Sequence, residues 1–409
     1  MTPPCGTRRR EAMWMLVRIA GFIALIAGPL EAQEWLEKEP PRPSLKANAD
    51  TNDWREYYNY AMSLVATRPG RAADMLYWAE RLDPTRAEPT YARWAVLWMN
   101  QPRMLKEYYE GSERVINSPA VRRLDSLNYL ARLRNPLVNQ GIRRLVLKAM
   151  YDHAEGERNW EWSMSPENVA WLNYTEGNFK RAAERFGGII ERNPDRNYHL
   201  RFDRALAFYA MSQFDSAATE LTKLVEELHR RDRKHLVYFY DSKAMFEYSI
   251  GLLHTAARRY EDARQAFMRA LSEDLAFYPA HSALGTVSLA LGDTAAAINE
   301  YRQAVELNGR DPVIRYDFSL MLMNAGQHQA AIDHLEFVIR SEPWFASPYY
   351  YLGRILDAQG RHPEAMTYYH RFLERAPRTL VQAVTFVRGR MTEFSAAGII
   401  AAPMPAIAQ

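Results

Sequence analysis

The sequence predicts an all-α solenoid built from stacked antiparallel helix pairs, and three observations support this fold class. Apolar residues recur every three to four positions, and few segments alternate with a period of two. Gly292, Gly326 and Gly360 lie 34 residues apart, and Ala297 and Ala331 keep the same interval. Proline and glycine residues interrupt the chain at distances that suit paired helices. Because one helix pair cannot bury its apolar face alone, successive pairs are expected to stack.

Individual residues within one period fit the start, the end and the packing of such a pair. Asp293 follows Gly292 and is expected to cap the second helix, since glycine ends a helix readily and aspartate accepts hydrogen bonds from free N–H groups. Pro343 is expected to end the second helix of its unit, because proline cannot continue a helix. Gly285 falls where the two helices of a unit come closest, so no side chain is expected to fit there.

These residues resemble the tetratricopeptide repeat, whose pattern is W-x2-L-G-x2-Y, then A-x3-F, then P. Segment 278–311 carries Leu284, Gly285, Gly292, Ala297, Tyr301 and Ala304 in the matching phase, and segments 244–277, 312–345 and 346–379 follow it. Arg258 stands where segment 244–277 would have its turn glycine. Two earlier units, 163–196 and 198–231, match less closely. The resemblance implies a right-handed superhelical solenoid.

The chain outside these repeats divides by composition. The predicted domains are a signal peptide or signal anchor at 1–32, a Pro-rich linker at 33–50, divergent Trp-rich helical-hairpin repeats at 51–162, tetratricopeptide repeats at 163–379, a capping helix at 380–395 and a disordered Ala/Pro-rich tail at 396–409. A separate helical domain remains the alternative for 51–162.

The N-terminus is typical of an export signal. Arg8, Arg9 and Arg10 precede an apolar run at 19–28, and Ala32 is a candidate cleavage position. The apolar run is short for a membrane span, yet an uncleaved anchor is the alternative, which implies membrane association. We therefore expect an exported protein, periplasmic or in the cell envelope if the source is bacterial. The one cysteine, Cys5, lies inside this signal, so no disulfide is expected in the mature chain.

The charge balance argues against a nucleic-acid partner. The chain has 52 basic and 49 acidic residues, a formal net charge of +3. Residues 1–32 contribute four of the basic and two of the acidic residues, which leaves +1 for the remainder. A nucleic-acid-binding domain is expected to carry a basic patch or stripe instead.

The motifs of catalysis are missing from the sequence. It has no His-Glu-x-x-His zinc motif, no Gly-rich phosphate loop and no Gly-x-Ser-x-Gly nucleophile turn. His328 and His334 are six residues apart, which places them on different faces of one helix. The sequence therefore predicts a protein that is not an enzyme and that has no metal or other cofactor.

The resemblance does imply a binding groove. In tetratricopeptide repeats the first helix of each unit lines the concave face, with positions 2, 5, 9 and 12 directed into it. The groove residues so implied are Phe202, Tyr248, Tyr316 and Tyr350 at position 5, Leu206, Leu252, Leu320 and Arg354 at position 9, and Tyr209, Met323 and Asp357 at position 12. Tyrosine suits recognition because it combines a large area with a polar tip. Packing between helices is the competing role for these rings.

The predicted function is an exported scaffold that binds a protein or peptide partner in this groove, in cell-envelope assembly. One alternative is a membrane-anchored assembly factor that keeps its N-terminal apolar segment. A second alternative is a polysaccharide-binding protein or enzyme that uses the Trp-rich region 51–162. Three or more tryptophans that line one open cleft together with carboxylates would favour this alternative.

Overall fold

The computed structural model describes residues 39–99, 111–116, 118–155, 165–233 and 242–404, and these residues form helices joined by turns and loops, with no β-strand. The helices are α1 Trp54–Leu64, α2 Pro69–Leu82, α3 Ala87–Met99, α4 Glu113–Ile116, α5 Pro119–Arg134, α6 Asn139–Glu155, α7 Pro166–Thr175, α8 Phe179–Arg192, α9 Pro194–Asn197, α10 Leu200–Ala210, α11 Phe214–Asp232, α12 Lys243–Ala256, α13 Tyr260–Glu273, α14 Tyr278–Ala290, α15 Thr294–Leu307, α16 Pro312–Asn324, α17 His328–Ser341, α18 Ala346–Ala358, α19 His362–Arg375 and α20 Val381–Ala396. The predicted all-α class is confirmed.

The chain divides into two compact units. Of the described residues, unit one contains 39–43, 61–76 and those between 87 and 253. In it, α3 packs against α5 and α6, and α7, α8, α10 and α11 pack in sequence order. Trp171 of α7 and Phe186 of α8 are buried and make an edge-to-face ring contact, with centroids 5.4 Å apart. An aromatic pair of this kind joins the two helices of the unit that begins at 163.

Of the described residues, unit two contains 44–60, 77–86 and 254–404. The pairs α14–α15, α16–α17 and α18–α19 form its helical hairpins, and each second helix packs against the first helix of the next pair. Its core is built from buried rings such as Tyr349, Tyr369 and Phe372. Consecutive pairs therefore share one continuous apolar core, as expected for stacked repeats.

The turn inside each pair requires a left-handed backbone conformation. Gly292, Gly326 and Gly360 have φ between 73° and 85°. At the equivalent turns Ser212 and Arg258 adopt φ of 58° and 60° without being glycine. The geometry of this turn is thus kept even where the sequence lacks the residue that adopts it most easily.

The tight contact expected at Gly285 is present. A Cβ atom at this position would lie 2.7 Å from the Tyr301 ring and 3.2 Å from the carbonyl oxygen of Ala297. Gly353 faces the ring of Tyr369 in the same way, 68 residues further along the chain. The tyrosine of the second helix therefore fills the space that the glycine leaves.

Two further elements of the repeat lie where the sequence placed them. The carboxylate of Asp293 accepts a hydrogen bond from the backbone N–H of Ala296, at 2.9 Å, and so caps α15. Pro343 follows the end of α17 at Ser341.

Helix α20 covers the last hairpin, and the chain beyond it returns to that hairpin. Val387 and Phe394 of α20 are buried in the core of unit two. The backbone N–H of Ala402 donates to the carbonyl of Pro363, and the hydroxyl of Thr367 donates to the carbonyl of Ala402. Residues up to 404 therefore pack on α19, in contrast to the disordered tail predicted for 396–409. The apolar side chains of Ile399 and Met404 account for the difference, because they join the core.

Some sequence predictions concern residues outside the described ranges. The signal segment 1–32, Trp160 and Trp162 are among them. Within the described ranges, no helix combines the length and the apolar character needed to cross a membrane.

Candidate partner-binding surface

In unit one, most of the predicted groove residues make contacts inside the protein. Leu206 is fully buried, at 0% exposure. The hydroxyl of Tyr248 donates to the carbonyl oxygen of Leu133, at 3.2 Å, and the ring of Phe202 lies 5.6 Å from that of Phe246. The side-chain amide of Asn135 donates to the hydroxyl of Tyr209.

Leu252 is half-buried, like Phe202 and Tyr209. This part of the predicted groove offers a partner little continuous free surface, because its hydroxyl groups and its central leucine are already engaged.

In unit two, three tyrosines and one phenylalanine form a connected surface that we name the aromatic row: Tyr316, Tyr351, Tyr350 and Phe386. Successive ring centroids along it are 6.2, 5.1 and 6.2 Å apart. The three tyrosines are half-buried, and Phe386 is 40% exposed. Each of the four residues therefore contacts its neighbours through its ring and keeps some solvent-accessible surface.

The aromatic row contains two of the predicted groove tyrosines and two residues that the groove positions did not include. Tyr351 follows position 5 directly, and Phe386 comes from α20, which a repeat pattern does not cover. Leu320 and Met323, also predicted, are half-buried on α16. Burial raises the pKa of Tyr316, and the neighbouring Tyr351 adds to that effect. The Tyr316 hydroxyl is therefore neutral at physiological pH.

Asp357, predicted as a polar groove residue, instead holds α20 in place. Its carboxylate accepts two hydrogen bonds from the guanidinium of Arg390, at 2.7 and 2.9 Å. The hydroxyl of Tyr369 donates to the same carboxylate at 3.2 Å, and Nδ1 of His362 lies 3.2 Å from it. Burial would raise the pKa of Asp357, but the bonds from Arg390 outweigh burial and lower it. The carboxylate is thus charged and fully engaged.

Arg354, the other predicted polar residue, lies at the end of the aromatic row. Its guanidinium carbon is 5.8 Å from the ring centre of Tyr350 and 5.5 Å from that of Phe386. The residue is exposed. Within the described ranges, the side chain makes these ring contacts and no ion pair.

A clasp between distant parts of the chain adjoins the aromatic row in unit two. Trp78 and Trp344 make an edge-to-face contact with centroids 5.2 Å apart, and Arg81 donates to both carboxylate oxygens of Glu342 at 2.7 Å. The next residue, Phe345, contacts Tyr316 with a centroid distance of 5.0 Å. We call the contacts of Trp78 and Arg81 with Trp344 and Glu342 the N-terminal clasp.

The segment before α1 reinforces this connection. Asp50 accepts a hydrogen bond from the backbone N–H of Arg378, and the side-chain amide of Asn52 donates to the carbonyl oxygen of Glu374 at 2.9 Å. The end of the predicted linker 33–50 is thus attached to the last turn of α19 and to the loop after it. No feature of the repeat period indicates these contacts, since they join residues more than 300 positions apart.

Described tryptophans of the region 51–162 do not lie together on an open cleft. Trp78 is 2% exposed, and Trp98 is buried in a separate apolar cluster with Val121 and Leu124. Trp54 and Trp94 are half-buried. Within the described ranges, no group of three or more His, Cys, Asp or Glu side chains is arranged to hold a metal ion.

Unit one contains a half-buried carboxyl group, that of Asp203, which the sequence analysis did not single out. Burial raises the pKa of Asp203 to about 8, with Glu167 adding to the rise and Arg144 opposing it. The guanidinium of Arg144 lies 3.9 Å from Glu167 and 5.0 Å from the ring centre of Trp171. Burial is therefore the main cause of the raised pKa of Asp203, and the charge of Arg144 offsets it only in part.

Comparisons with known proteins agree with this architecture. A family model described as tetratricopeptide repeat matches residues 170–233, 244–312 and 316–378. Over 105 residues the chain is 34% identical to small glutamine-rich tetratricopeptide repeat-containing protein 2 of Mycosarcoma maydis. That alignment covers 26% of this chain and 30% of that protein, so the chain spans less than a third of the relative's length.

Two solved structures are among those to which the chain is similar. YrrB, described as a TPR protein with an unusual peptide-binding site, is 21% identical, with 50% of this chain and 99% of that chain covered and a TM-score of 0.39. The pilF protein of Pseudomonas aeruginosa is 17% identical, with 57% and 96% covered and a TM-score of 0.41.

Proposed function

Because the chain belongs to the tetratricopeptide-repeat family, we propose that it is an exported scaffold whose aromatic row in unit two binds a segment of a protein partner in cell-envelope assembly. The observation that carries this proposal is the connected run of four partly exposed rings from Tyr316 to Phe386. Tyrosine and phenylalanine are enriched at the centres of protein interfaces, where a few side chains supply most of the binding energy.

Unit two is favoured over unit one for physical reasons. In unit one, Leu206 has no exposed surface, and the hydroxyl of Tyr248 is already bonded to the carbonyl of Leu133. A partner could displace these contacts only by repacking the core, which costs stability. In the aromatic row, the three tyrosines are half-buried and Phe386 is exposed, so a partner can cover their remaining surface without repacking the core.

The binding proposal is tested by selecting phage-displayed 12-residue peptides on the full chain and measuring the affinity of the selected peptides for variants. We expect Tyr351→Ala to weaken binding about tenfold or more, since truncating a central interface tyrosine typically costs more than about 1 kcal/mol. Tyr260→Ala is the matched control, because Tyr260 is another half-buried tyrosine of unit two that lies outside the aromatic row.

Melting curves of the same two variants separate binding from stability. A loss of affinity in Tyr351→Ala with a melting temperature like that of the control supports the proposal. Equal affinities of the peptides for Tyr351→Ala and Tyr260→Ala would overturn it. So would selected peptides that do not compete for one site and whose binding does not depend on Tyr351.

The export part of the proposal rests on the basic and apolar pattern of residues 1–32. Expression in a bacterial host followed by cell fractionation and intact-mass measurement tests it. A chain found outside the cytoplasm and shortened after Ala32 is the expected result. A full-length chain in the membrane fraction would favour the anchored assembly factor, and a full-length chain in the cytoplasm would contradict export.

A further inference from the structure

We propose that Arg354 is the specificity-determining residue of this surface and that it selects partner segments carrying an aspartate or glutamate next to the apolar residues that cover the aromatic row. This inference rests on the proposed function, because it concerns the same surface. It adds the chemical class of the bound segment, which the rings alone do not define.

The first step is that Arg354 lacks its natural intrahelical partner. Asp357 follows it by three residues on α18, a spacing at which opposite charges usually pair. In the structure the Asp357 carboxylate is instead bound by Arg390 through two hydrogen bonds, with Tyr369 and His362 as further neighbours. Helix α20 therefore takes the acid that would otherwise neutralise Arg354.

The second step is that α20 also holds Arg354 in position. The guanidinium lies within 6 Å of the ring centres of Tyr350 and Phe386, which is the range of a cation–π contact. Phe386 belongs to α20, four residues before Arg390. Contact with two rings restricts the side chain before any partner arrives, so less conformational entropy is lost on binding.

The third step concerns what this arrangement can recognise. A guanidinium presents N–H donors in a planar fork that matches a carboxylate, and a charged hydrogen bond of this kind is stronger than a neutral one. Contacts with ring faces leave these donors unsatisfied by the protein, and within the described ranges no carboxylate lies within ion-pair distance of them. A bound segment with a basic residue beside Arg354 would be repelled. A segment with a neutral residue there would leave the guanidinium hydrogen-bonded only to water.

The test begins with the same peptide selection, carried out on the full chain and separately on Arg354→Gln. Peptides selected by the unmodified chain are expected to share an aspartate or glutamate beside apolar residues, and those selected by Arg354→Gln are expected to lack that preference. A synthetic peptide from the first selection is then compared with its Glu→Gln or Asp→Asn counterpart. We expect Arg354→Gln to weaken binding of the acidic peptide about tenfold and to leave the neutral peptide almost unchanged.

Two control variants define the interpretation. Arg388→Gln removes the same charge from an exposed position of α20 and is expected to leave both affinities unchanged. Arg390→Gln frees Asp357 to pair with Arg354 and is expected to weaken binding of the acidic peptide. A melting curve of this variant checks that the protein stays folded.

The outcomes separate this inference from the proposed function. Peptides that depend on Tyr351 but show no acidic preference, or that bind Arg354→Gln and Arg388→Gln equally, overturn the role of Arg354 and leave the aromatic row intact. Peptides that do not depend on Tyr351 at all remove both.

Discussion

At the scale of single residues, the contact between Gly285 and Tyr301 defines the register of the repeat. The tyrosine ring of α15 occupies the space where any larger residue of α14 would place its Cβ, and the hydroxyl of Tyr301 forms a 2.7 Å hydrogen bond with Thr286. The same glycine–tyrosine pair recurs as Gly353 and Tyr369. A repeat of 34 residues thus conserves its packing through one small and one large side chain.

Replacing Gly285 by alanine is expected to destabilise the protein by about 1–3 kcal/mol, because the new methyl group would lie 2.7 Å from the Tyr301 ring. The matched control is Gly188→Ala in α8, where a Cβ meets no atom within 4 Å. There the higher helix propensity of alanine is expected to increase stability by up to about 1 kcal/mol. Chemical unfolding of both variants checks the opposite signs, and a loss of stability at both positions would contradict the close contact.

Asp203 in unit one gives a prediction about pH. Burial raises the pKa of its carboxyl to about 8, far above the value of about 4 in an unfolded chain. Between these two values the folded protein binds more protons than the unfolded chain, so the stability supplied by the neutral carboxyl is lost as pH rises from 4 to 8.

Asp203→Asn removes this titration. At pH 8 the variant is expected to be more stable than the unmodified protein by about 1–3 kcal/mol, a range reduced for partial solvent contact, and the difference should vanish below pH 4. Melting temperatures recorded from pH 4 to pH 8 measure it, with the exposed Asp333→Asn as the control. A constant difference across this range would show that the carboxyl of Asp203 does not titrate with folding.

At the scale of elements, the N-terminal clasp shows how a segment before the repeats stabilises the last ones. Arg81 and Glu342 are largely buried, with side-chain exposures of 18% and 13%, and Arg81 also donates to the hydroxyl of Tyr77. Removing one member of such a pair leaves the other charge without its partner in a poorly solvated place.

Arg81→Ala is therefore expected to lower the free energy of unfolding by about 1–3 kcal/mol, and Glu342→Ala by a similar amount. The double variant Arg81→Met with Glu342→Leu is expected to recover at least half of either loss, because neither charge is then left buried alone. Urea unfolding of the single and double variants measures the coupling. Additive losses would show that the two side chains contribute independently, and Arg340→Ala, an exposed arginine on α17, serves as the control.

Helix α20 is the element with the greatest effect on the proposed surface. Through Arg390 it occupies Asp357, and through Phe386 it extends the aromatic row to Arg354. The sequence predicts this helix from its apolar residues but not its polar contacts, because a repeat pattern contains no information about what lies beyond the last repeat.

At the scale of the whole molecule, the sequence by itself determined the fold class, the length of the repeat and the places where small residues must lie. These features depend on local chemistry: periodic burial, a left-handed turn after each first helix, and a glycine opposite a tyrosine. Such patterns are visible in one chain because several units repeat them.

Only the tertiary structure decided which of the implied groove residues share a free surface. The same repeat position is occupied by Phe202, Tyr248, Tyr316 and Tyr350. Tyr248 is nevertheless buried, and its hydroxyl donates to the carbonyl oxygen of Leu133, whereas Tyr316 belongs to the aromatic row. Whether Asp357 and Arg354 are paired depends on α20, because Arg390 of that helix binds Asp357. The N-terminal clasp likewise depends on two residues, Arg81 and Glu342, that lie 261 positions apart. Exposure and charge pairing are properties of neighbours in space, and segments outside the repeat period supply those neighbours here.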